Sequence, residues 1–348
     1  MLFTIIAIII IAGLVLLEWL KPEKKVHQLT FFISSGLIFV LIAFNRMNAD
    51  YKGYLGSYTN NDPQNEIGYN LLVHLFNGLG LPFESILLLL GILVFLVFYF
   101  FSNKQHASLA ALAYLIYPLA LDLPQIRNLF MYMIALLTLY LVRDRNRVAL
   151  AGGFALSASF HYFGLIYLPF AWLVKTERKL FYHRLALIFA IISAGSLVAR
   201  FFPDRMPKLI ASEISGFDWF YFAIQVIHVA LDIVLIWWVD QHSRAKNEMN
   251  NQESTLQELM YRFIWFSVIE IPLVAFSNEM YRFRRNAQLI KYLYTANALK
   301  SMSLRDRCVT IGLLFANLLL VVFMLRVTGD LELYADLNHN VFNIFAQN

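Results

Sequence analysis

Apolar stretches long enough to cross a lipid bilayer recur along almost the whole chain. A transmembrane helix needs about 20 mostly apolar residues to cover about 30 Å of hydrocarbon. Stretches of about this length lie at Leu2–Leu20, Leu29–Phe44, Ser85–Phe101, Ala107–Leu121, Ile126–Val142, Leu185–Phe202, Phe217–Val239, Leu259–Ser277 and Cys308–Leu325. Their recurrence predicts an all-α, polytopic integral membrane protein.

The composition excludes several other classes of protein. Of the 348 residues, 59% are hydrophobic and only 15% are charged. Soluble globular chains average about a quarter charged residues. Together with a mean hydropathy of +0.60, these values exclude a water-soluble enzyme, a disordered scaffold and a nucleic-acid-binding protein. The single cysteine, Cys308, excludes an intramolecular disulfide.

The charge of the connecting segments alternates in sign. Net positive charge is found at Lys21–Gln28, Arg143–Arg147, Lys175–Arg184 and Lys300–Arg307. Net negative charge is found at Asn45–Glu84, Pro203–Asp218 and the tail after Leu325. Because Lys and Arg collect on the cytoplasmic side, this alternation predicts about 11 to 12 transmembrane helices with both termini outside.

We interpret residues 1–348 as a single transmembrane domain with three irregular parts. An outer loop lies at 45–84, and an Arg-rich start of an outer helix at 278–300. A third stretch, 148–174, has basic residues on both flanks, so that both of its ends should be cytoplasmic. We expect a pair of short helices there, with its apex near His161, because such pairs are tolerated where they line a protein cavity.

Aromatic and acidic residues gather in the predicted outer loop. Tyr51, Tyr54 and Tyr58 recur at a spacing that would form one stripe on a helix, with Asp50 and Glu66 nearby. Aromatic faces and carboxylates suit a sugar, whose C–H faces stack and whose hydroxyls need planar acceptors. The alternative is an interfacial aromatic belt, which is common in membrane proteins.

Arg127 lies in the first turn of a predicted outer helix start, in the segment Asp122–Asn128. A helix N-terminus carries about half a positive charge, so an arginine there is unfavourable unless an anion compensates it. Phosphates in particular favour this position. The alternative is an arginine that extends to the membrane interface.

A second cationic group follows at Asn278–Arg285 and goes against the charge rule for an outer segment. Arg282 and Arg285 share one helical face, and guanidinium groups bind phosphate oxygens through two-pronged contacts. With Arg127 they could hold a diphosphate. The alternative is pairing with a glutamate or with lipid head groups.

The remaining titratable residues leave alternatives open. His161 is either a hydrogen-bonded packing residue or a catalytic one. Asp232, His228 and Glu270 lie within predicted spans, where they would suit a proton-coupled transporter or form an interhelical pair. Motifs for nucleotides and for metal ions are absent, so we expect no cofactor and no metal site.

These clusters, in this order, resemble the EpsG family of exopolysaccharide polymerases, which are relatives of the Wzy polymerases of O-antigen and capsule. The matching motifs are Arg46, Asp50-Tyr51, Tyr54, Glu66-Ile67-Gly68-Tyr69, Arg127, Phe160-His161 and Tyr281–Arg285. Two positions depart from the family pattern: Asn48-Ala49 replaces Gly-Thr, and Asn128 replaces a Gln after the arginine.

The resemblance implies a GT-C-like membrane glycosyltransferase with an outward-facing site in the bacterial cytoplasmic membrane. Such proteins join oligosaccharide repeat units linked to undecaprenyl diphosphate, with the growing chain as donor and a fresh unit as acceptor. They need no metal and no cofactor, and a flippase and a chain-length regulator are possible partners. Alternatives are a lipid-linked oligosaccharide flippase, a proton-coupled transporter, a ligase and an acyltransferase.

Residue roles follow from the clusters and this resemblance together. The candidate catalytic residues are Asp50, His161, Glu66 and Arg127. The candidate diphosphate-binding residues are Arg127, Arg282, Arg284 and Arg285. The candidate sugar-binding residues are Arg46, Tyr51, Tyr54, Tyr69, Gln125 and Tyr281.

Overall fold

Helices make up all the regular structure in the part of the chain that is described. The structure is a computed structural model and describes residues 2–21, 23–46, 50–60, 66–142, 147–201, 219–244, 251–276 and 280–328. Within these ranges every regular element is an α-helix or a short 3₁₀ helix. The prediction of an all-α protein is therefore confirmed.

The first ten α-helices lie before the middle of the chain. They are α1 (Leu2–Leu20), α2 (Lys24–Ala43), α3 (Tyr51–Asn60), α4 (Ile67–Gly78), α5 (Glu84–Phe101), α6 (Ala107–Ile116), α7 (Leu119–Asp122), α8 (Ile126–Val142), α9 (Arg147–Ala158) and α10 (Leu168–Leu173). The helices after them are α11 (Arg178–Phe201), α12 (Trp219–Arg244), α13 (Asn251–Phe266), α14 (Glu270–Phe276), α15 (Tyr281–Leu299) and α16 (Leu304–Thr328). Two 3₁₀ segments are Tyr162–Tyr167 and Ser267–Ile269.

Five of the described helices are long and apolar enough to cross a membrane. They are Lys24–Ala43, Glu84–Phe101, Arg178–Ala199, Trp219–Ser243 and Leu304–Arg326. Shorter apolar helices are Ile5–Leu20, Ala107–Ile116, Ile126–Val142, Arg147–Ala158 and Tyr162–Leu173. The chain is therefore a multi-pass membrane protein, while the total of 11 to 12 spans stays a prediction based on the charge pattern.

Two predicted spans are interrupted, each at a proline. The stretch 107–121 breaks into α6 and α7, because Tyr117 takes an extended conformation before Pro118. A residue before proline is disfavoured in the helical region. The stretch 259–277 contains the 3₁₀ segment Ser267–Ile269 between α13 and α14. Pro272 cannot donate a hydrogen bond to the carbonyl four residues earlier, and its ring crowds that carbonyl.

The described residues form two compact units. Unit 1 consists of the described parts of residues 1–168, 292–300 and 322–328. Unit 2 consists of those of 169–291 and 301–321. The single transmembrane domain predicted from the sequence stays a prediction.

A buried carboxylate joins three helices in unit 1. Glu18 of α1 is 1% exposed. One of its carboxylate oxygens accepts hydrogen bonds from Thr30 of α2 at 2.5 Å and from Ser108 of α6 at 2.8 Å. Nearby, Gly91 of α5 approaches Phe39 of α2 so closely that a Cβ on it would lie 3.0 Å from the ring. The close packing of α1, α2, α5 and α6 forms one part of the core of this unit, and α8, which packs on α5 and α9, forms another.

Several parts of the predicted topology lie outside the described residues. These are residues 47–49, 61–65, 143–146, 202–218, 245–250, 277–279 and 329–348. They include Asn48-Ala49, most of the basic segment Arg143–Arg147, the acidic segment Pro203–Asp218, Asn278 and Glu279, and the tail beyond Thr328. The alternation of charge and the position of the termini therefore remain predictions.

Candidate functional site

The tyrosine stripe of α3 divides between packing and the candidate site. Tyr51 and Tyr58 are buried against Phe83, with ring centroids 5.4 Å and 5.6 Å away. The hydroxyl of Tyr58 donates to the carbonyl oxygen of Leu81 at 2.5 Å. Tyr54 instead packs against Tyr69 of α4, with ring centroids 5.9 Å apart. Tyr54 is thus the member of the stripe that belongs to the candidate site.

Arg127 forms the centre of the candidate site in unit 1. Its guanidinium makes an ion pair with the carboxylate of Glu66. Its Nε–H donates a hydrogen bond to the hydroxyl oxygen of Tyr54 at 3.4 Å. The Arg127 side chain is 24% exposed and that of Glu66 is 7% exposed. Glu66 therefore supplies the negative charge that compensates Arg127 at the start of α8. Glu66 is the residue before α4 and makes no side-chain cap with that helix.

Tyr69 adds a buried hydroxyl beside this ion pair. The residue is 1% exposed, and its hydroxyl has no hydrogen-bond partner among the described residues. Burial raises the pKa of Tyr69, so that it stays a neutral donor at neutral pH. The role of Tyr69 in sugar binding stays a prediction.

Close packing at Gly68 fixes the start of α4. The backbone N–H of Gly68 donates to the carbonyl oxygen of Ser159 at 2.8 Å. A Cβ at position 68 would lie 2.2 Å from the Ser159 Oγ, which no side chain can occupy without a shift. The glycine in Glu66-Ile67-Gly68-Tyr69 therefore lets α4 contact the segment that follows α9.

His161 lies in that segment, between α9 and the 3₁₀ helix. It is 8% exposed, and its Nδ1 accepts a hydrogen bond from the backbone N–H of Phe163 at 3.3 Å. Because Nδ1 accepts, the proton of the neutral ring lies on Nε2. The preceding Phe160 stacks on Phe130 of α8, with centroids 5.7 Å apart. His161 thus has a capping and packing role, and its catalytic role stays a prediction.

A second polar cluster lies at the start of α5. Glu84 accepts a hydrogen bond from the Tyr51 hydroxyl at 3.2 Å and lies 3.9 Å from Arg46 Nε. Burial and the charge of Glu84 raise the pKa of Tyr51 to about 12. Two predicted site residues, Arg46 and Tyr51, therefore contact Glu84. The sequence interpretation missed Glu84, although an acidic residue at the outer start of a predicted span was visible.

Two other predicted residues are not shown in contact with Arg127. Asp50 is exposed at the start of α3, where its carbonyl oxygen accepts from the backbone N–H of Tyr54. Gln125 is half-buried, and its backbone N–H donates to the carbonyl oxygen of Asp122. Their roles in catalysis and sugar binding stay predictions.

The arginines of α15 differ in their surroundings within unit 2. Arg282 is half-buried, whereas Arg284 and Arg285 are only 2% and 1% exposed. Arg285 lies over the ring of Tyr281, with 5.5 Å to the centroid. Arg284 Nε lies 3.4 Å from Asp232 and 3.7 Å from Glu270. Arg284 therefore belongs to a buried ionic network.

Asp232 is the hub of this network. It accepts hydrogen bonds from Lys291 Nζ at 2.6 Å, from Asn317 Nδ2 at 2.6 Å and from Gln288 Nε2 at 3.0 Å. His228 Nε2 lies 3.3 Å from Asn317 Oδ1. The sequence left open an interhelical pair among Asp232, His228 and Glu270, whereas in the structure Asp232 pairs with Lys291. Gln288 and Asn317 were missed because they come from helices distant in sequence.

Metal ligands do not converge in the described ranges. No group of three or more His, Cys, Asp or Glu residues there could hold a metal ion. Arg127 belongs to unit 1, while Arg282, Arg284 and Arg285 belong to unit 2. A joint diphosphate site of Arg127 with these arginines therefore stays a prediction.

The fold and these clusters define a class: a multi-pass helical membrane protein with buried arginine–carboxylate sites. A comparison with protein families matches the EpsG family over residues 28–339, and the chain belongs to this family. The predicted site residues, from Arg46 to Arg285, all lie within the matched range. No curated protein and no solved structure matches the chain. Family membership supports a function of the polysaccharide polymerase type in general terms.

Proposed function

We propose that this protein polymerises oligosaccharide repeat units linked to undecaprenyl diphosphate, at the outer face of the bacterial cytoplasmic membrane. A hydroxyl oxygen of the acceptor unit forms a bond to the anomeric carbon of the donor chain. The bond from that carbon to the diphosphate breaks, and undecaprenyl diphosphate leaves. The observation that carries the proposal is the cluster of Arg127, Glu66, Tyr54 and Tyr69 in a member of the EpsG family.

Arg127 suits the charge that develops on the leaving group. Stabilising such charge is usually the largest single contribution to catalysis. A guanidinium has five N–H donors, and the structure gives Arg127 contacts to Glu66 and Tyr54. An arriving diphosphate would compete with Glu66 for this guanidinium, and phosphate oxygens suit the two-pronged geometry of arginine.

Glu66 would then be the acceptor of the proton from the attacking hydroxyl. When Arg127 moves its contacts to the diphosphate, the Glu66 carboxylate loses its ion pair and its oxygens can accept a hydrogen bond from the attacking hydroxyl. General-base assistance of this kind contributes about 10² to 10⁴ in rate. The exposed Asp50 and the capping His161 are the other candidates for this role, and the sequence ranked both above Glu66.

The aromatic pair next to Arg127 suits a sugar. The rings of Tyr54 and Tyr69 are nearly perpendicular, with an interplanar angle of 67°. Tyr54 is half-buried and offers a ring face for stacking, while the Tyr69 hydroxyl offers a hydrogen bond. In unit 2, Arg282, Arg284 and Arg285 stay the candidates for the diphosphate, with Arg284 ion-paired with Asp232.

A single-turnover assay in nanodiscs tests this function. The substrate is a lipid-diphosphate-linked repeat unit of verified identity, supplied without nucleotide and with a chelator of divalent cations. The wild type should produce a ladder of lipid-linked multimers. Arg127→Ala should produce none, and Arg305→Ala, which removes an exposed arginine of α16, should produce the full ladder. Unchanged monomer with the wild type would overturn the proposal.

A flippase or proton-coupled transporter is the second candidate, and one observation favours it. Glu270 is 1% exposed and stands at the helix interruption after Ser267–Ile269, beside Arg284. Transporters commonly bind substrate at interrupted helices with polar residues inside the membrane. Movement of a lipid-linked oligosaccharide across proteoliposomes, without multimer formation, would support this candidate.

A further inference from the structure

The helix α4 has an exposed face that is mostly apolar. Ile67, Leu71 and Leu75 are 73%, 65% and 57% exposed, and Leu79, just after the helix, is 64% exposed. Residues four apart lie on the same face of a helix, so these side chains form one continuous stripe. The opposite face, with Gly68, Tyr69 and Val73, is buried against the rest of unit 1.

This helix is too short to cross a bilayer, and it is fixed at both ends. Its 12 residues span about 18 Å at 1.5 Å per residue, against about 30 Å of hydrocarbon. At its start, Gly68 is held against Ser159. At its end, the N–H of Leu81 donates to the Phe76 carbonyl, and that of Gly80 donates to the Asn77 carbonyl. With Gly80 at φ +67°, these bonds form a Schellman motif that stops the helix.

The exposed face of the neighbouring helix α3 differs in polarity from that of α4. The two helices are joined by the ring contact of Tyr54 with Tyr69 and by a hydrogen bond from Asn77 Nδ2 to the Tyr58 carbonyl at 2.9 Å. The exposed residues of α3 are small or polar: Lys52, Gly53, Thr59 and Asn60. One helix of the pair therefore has a polar exposed face and the other has an apolar one.

The short connection to α5 places the end of α4 next to the start of a candidate membrane span. Only residues 79–83 separate α4 from α5, which is long and apolar enough to cross the membrane. Residues Leu88 and Ile92 of α5 are exposed apolar side chains, as expected for a surface in contact with lipid. The end of α4 therefore lies close to one end of a membrane span, at the level where hydrocarbon meets head groups.

We propose that α4 lies in the plane of the membrane surface, with Ile67, Leu71, Leu75 and Leu79 inserted among the lipid acyl chains and with α3 on the water side. The exposed face of α4 carries no charged residue, and His74 is its polar side chain. Such a stripe is unfavourable in water, while an apolar helix face buries about 5 to 10 Å into the interface of a bilayer. This inference concerns a lipid surface and holds independently of the proposed reaction.

In this arrangement, one side of the candidate site faces lipid and the other side faces water. Glu66 precedes α4 and Tyr69 belongs to it, while Tyr54 belongs to the water-facing α3. The Arg127–Glu66 pair therefore lies at the boundary between lipid and water. A ligand with a hydrocarbon anchor and a polar head group can reach this level without leaving the bilayer.

Site-directed spin labelling of the full chain in nanodiscs tests the position of α4. The exposed Cys308 is first replaced in Cys308→Ser. Single cysteines are then introduced as Leu71→Cys and Leu75→Cys, with Lys52→Cys on α3 as the aqueous control and Leu88→Cys on α5 as the lipid control. Each variant must elute as the parent does in size-exclusion chromatography. The accessibility of each label to oxygen and to a water-soluble nickel complex is measured.

The labels at positions 71 and 75 should resemble the label at 88, with high oxygen and low nickel accessibility. The label at 52 should show the reverse. Nickel accessibility at 71 and 75 equal to that at 52 would overturn the proposal. Spin–spin broadening at these positions that disappears on dilution with unlabelled protein would also overturn it, because it would show that a second copy of the chain covers the stripe.

Discussion

Arg127 has contacts that a lysine cannot reproduce. Its guanidinium pairs with Glu66 and also donates toward the Tyr54 hydroxyl. An ammonium group has no planar arrangement of donors, so Arg127→Lys keeps the charge and loses the geometry. We expect polymer formation to fall at least about tenfold, which corresponds to about 1.4 kcal/mol of transition-state stabilisation, while the protein stays folded.

The ladder assay and thermal unfolding in detergent measure these two effects. The matched control is Arg305→Lys, because Arg305 is an exposed arginine of α16. It should change neither quantity. If Arg127→Lys retained full activity, charge alone would be sufficient and the two-pronged contact would have no role.

Tyr69 and Tyr58 differ in how much their hydroxyls stabilise the fold. The buried Tyr69 hydroxyl has no partner among the described residues, whereas the Tyr58 hydroxyl donates to the Leu81 carbonyl. Tyr69→Phe should therefore change the free energy of unfolding by less than about 0.5 kcal/mol, and Tyr58→Phe should lower it by about 1 kcal/mol. If Tyr69 binds a sugar hydroxyl, Tyr69→Phe should still reduce polymer formation.

Unfolding measurements on the two variants, together with the ladder assay, separate stability from activity. A Tyr69→Phe variant that is as unstable as Tyr58→Phe would indicate that the hydroxyl has a partner in the folded protein. A Tyr69→Phe variant with full stability and full activity would remove Tyr69 from the candidate sugar site.

At the scale of single residues, the sequence predicted which residues belong to the candidate site better than it predicted which of them contact each other. Arg127, Glu66, Tyr54 and Tyr69 were all selected as site candidates, and the structure brings them together. The sequence did not indicate that Glu66 is the counter-ion of Arg127, because Glu66 precedes α4 and Arg127 lies in α8, 61 positions further along the chain. Glu84, Lys291 and Asn317 were missed as site partners for the same reason.

At the scale of elements, the contact between α4 and the segment after α9 depends on Gly68. A Cβ at this position would lie 2.2 Å from Ser159 Oγ and 2.9 Å from the Ser159 backbone. Gly68→Ala must therefore move α4 away from Ser159, and Tyr69 moves with it. We expect a loss of about 1 to 3 kcal/mol in stability, which is the usual cost of overpacking, and a strong loss of polymer formation.

Gly56→Ala is the matched control in the neighbouring helix α3. Nothing lies within 4 Å of a Cβ at Gly56. Alanine is the better helix former by about 0.5 to 1 kcal/mol, so this variant should be as stable as the wild type or more stable. Thermal unfolding of both variants measures the difference. Equal stability of Gly68→Ala and Gly56→Ala would contradict the close contact at Ser159.

Helix boundaries show where a hydropathy pattern stops being informative. The stretches at 107–121 and 259–277 have the composition of single spans, yet each is interrupted near a proline. A hydropathy profile averages over about 19 residues. It is therefore insensitive to the single backbone N–H that a proline lacks. The prolines Pro118 and Pro272 themselves carried the signal, because a proline inside a helix removes one backbone hydrogen bond.

At the scale of the whole molecule, the buried charges of unit 2 hold distant helices together. Asp232 of α12 contacts Lys291 of α15 and Asn317 of α16, and Arg284 adds a second cation. Removing one partner of a buried pair leaves the other charge without compensation, at a cost of about 3 to 5 kcal/mol. Asp232→Asn should therefore destabilise the protein by several kcal/mol in this range.

The variant Asp232→Asn with Lys291→Gln tests whether this cost arises from the pair. The double variant removes both charges, so its loss of stability should be smaller than the sum of the two single losses. Thermal unfolding of the wild type, both single variants and the double variant in the same detergent gives the coupling. Strict additivity would show that Asp232 and Lys291 do not stabilise each other.

The same four proteins (the wild type, the two single variants and the double variant) distinguish a network that stabilises the fold from one that carries protons. If the network is structural, the loss of polymer formation should follow the loss of folded protein, and the double variant should recover both. In a proton-coupled transporter, Asp232→Asn would stay folded and inserted but would lose activity, and the second substitution would not restore it. Because Asp232 has three hydrogen-bond donors around it at 3.0 Å or less, we expect the structural outcome, with the activity of the double variant exceeding that of Asp232→Asn alone.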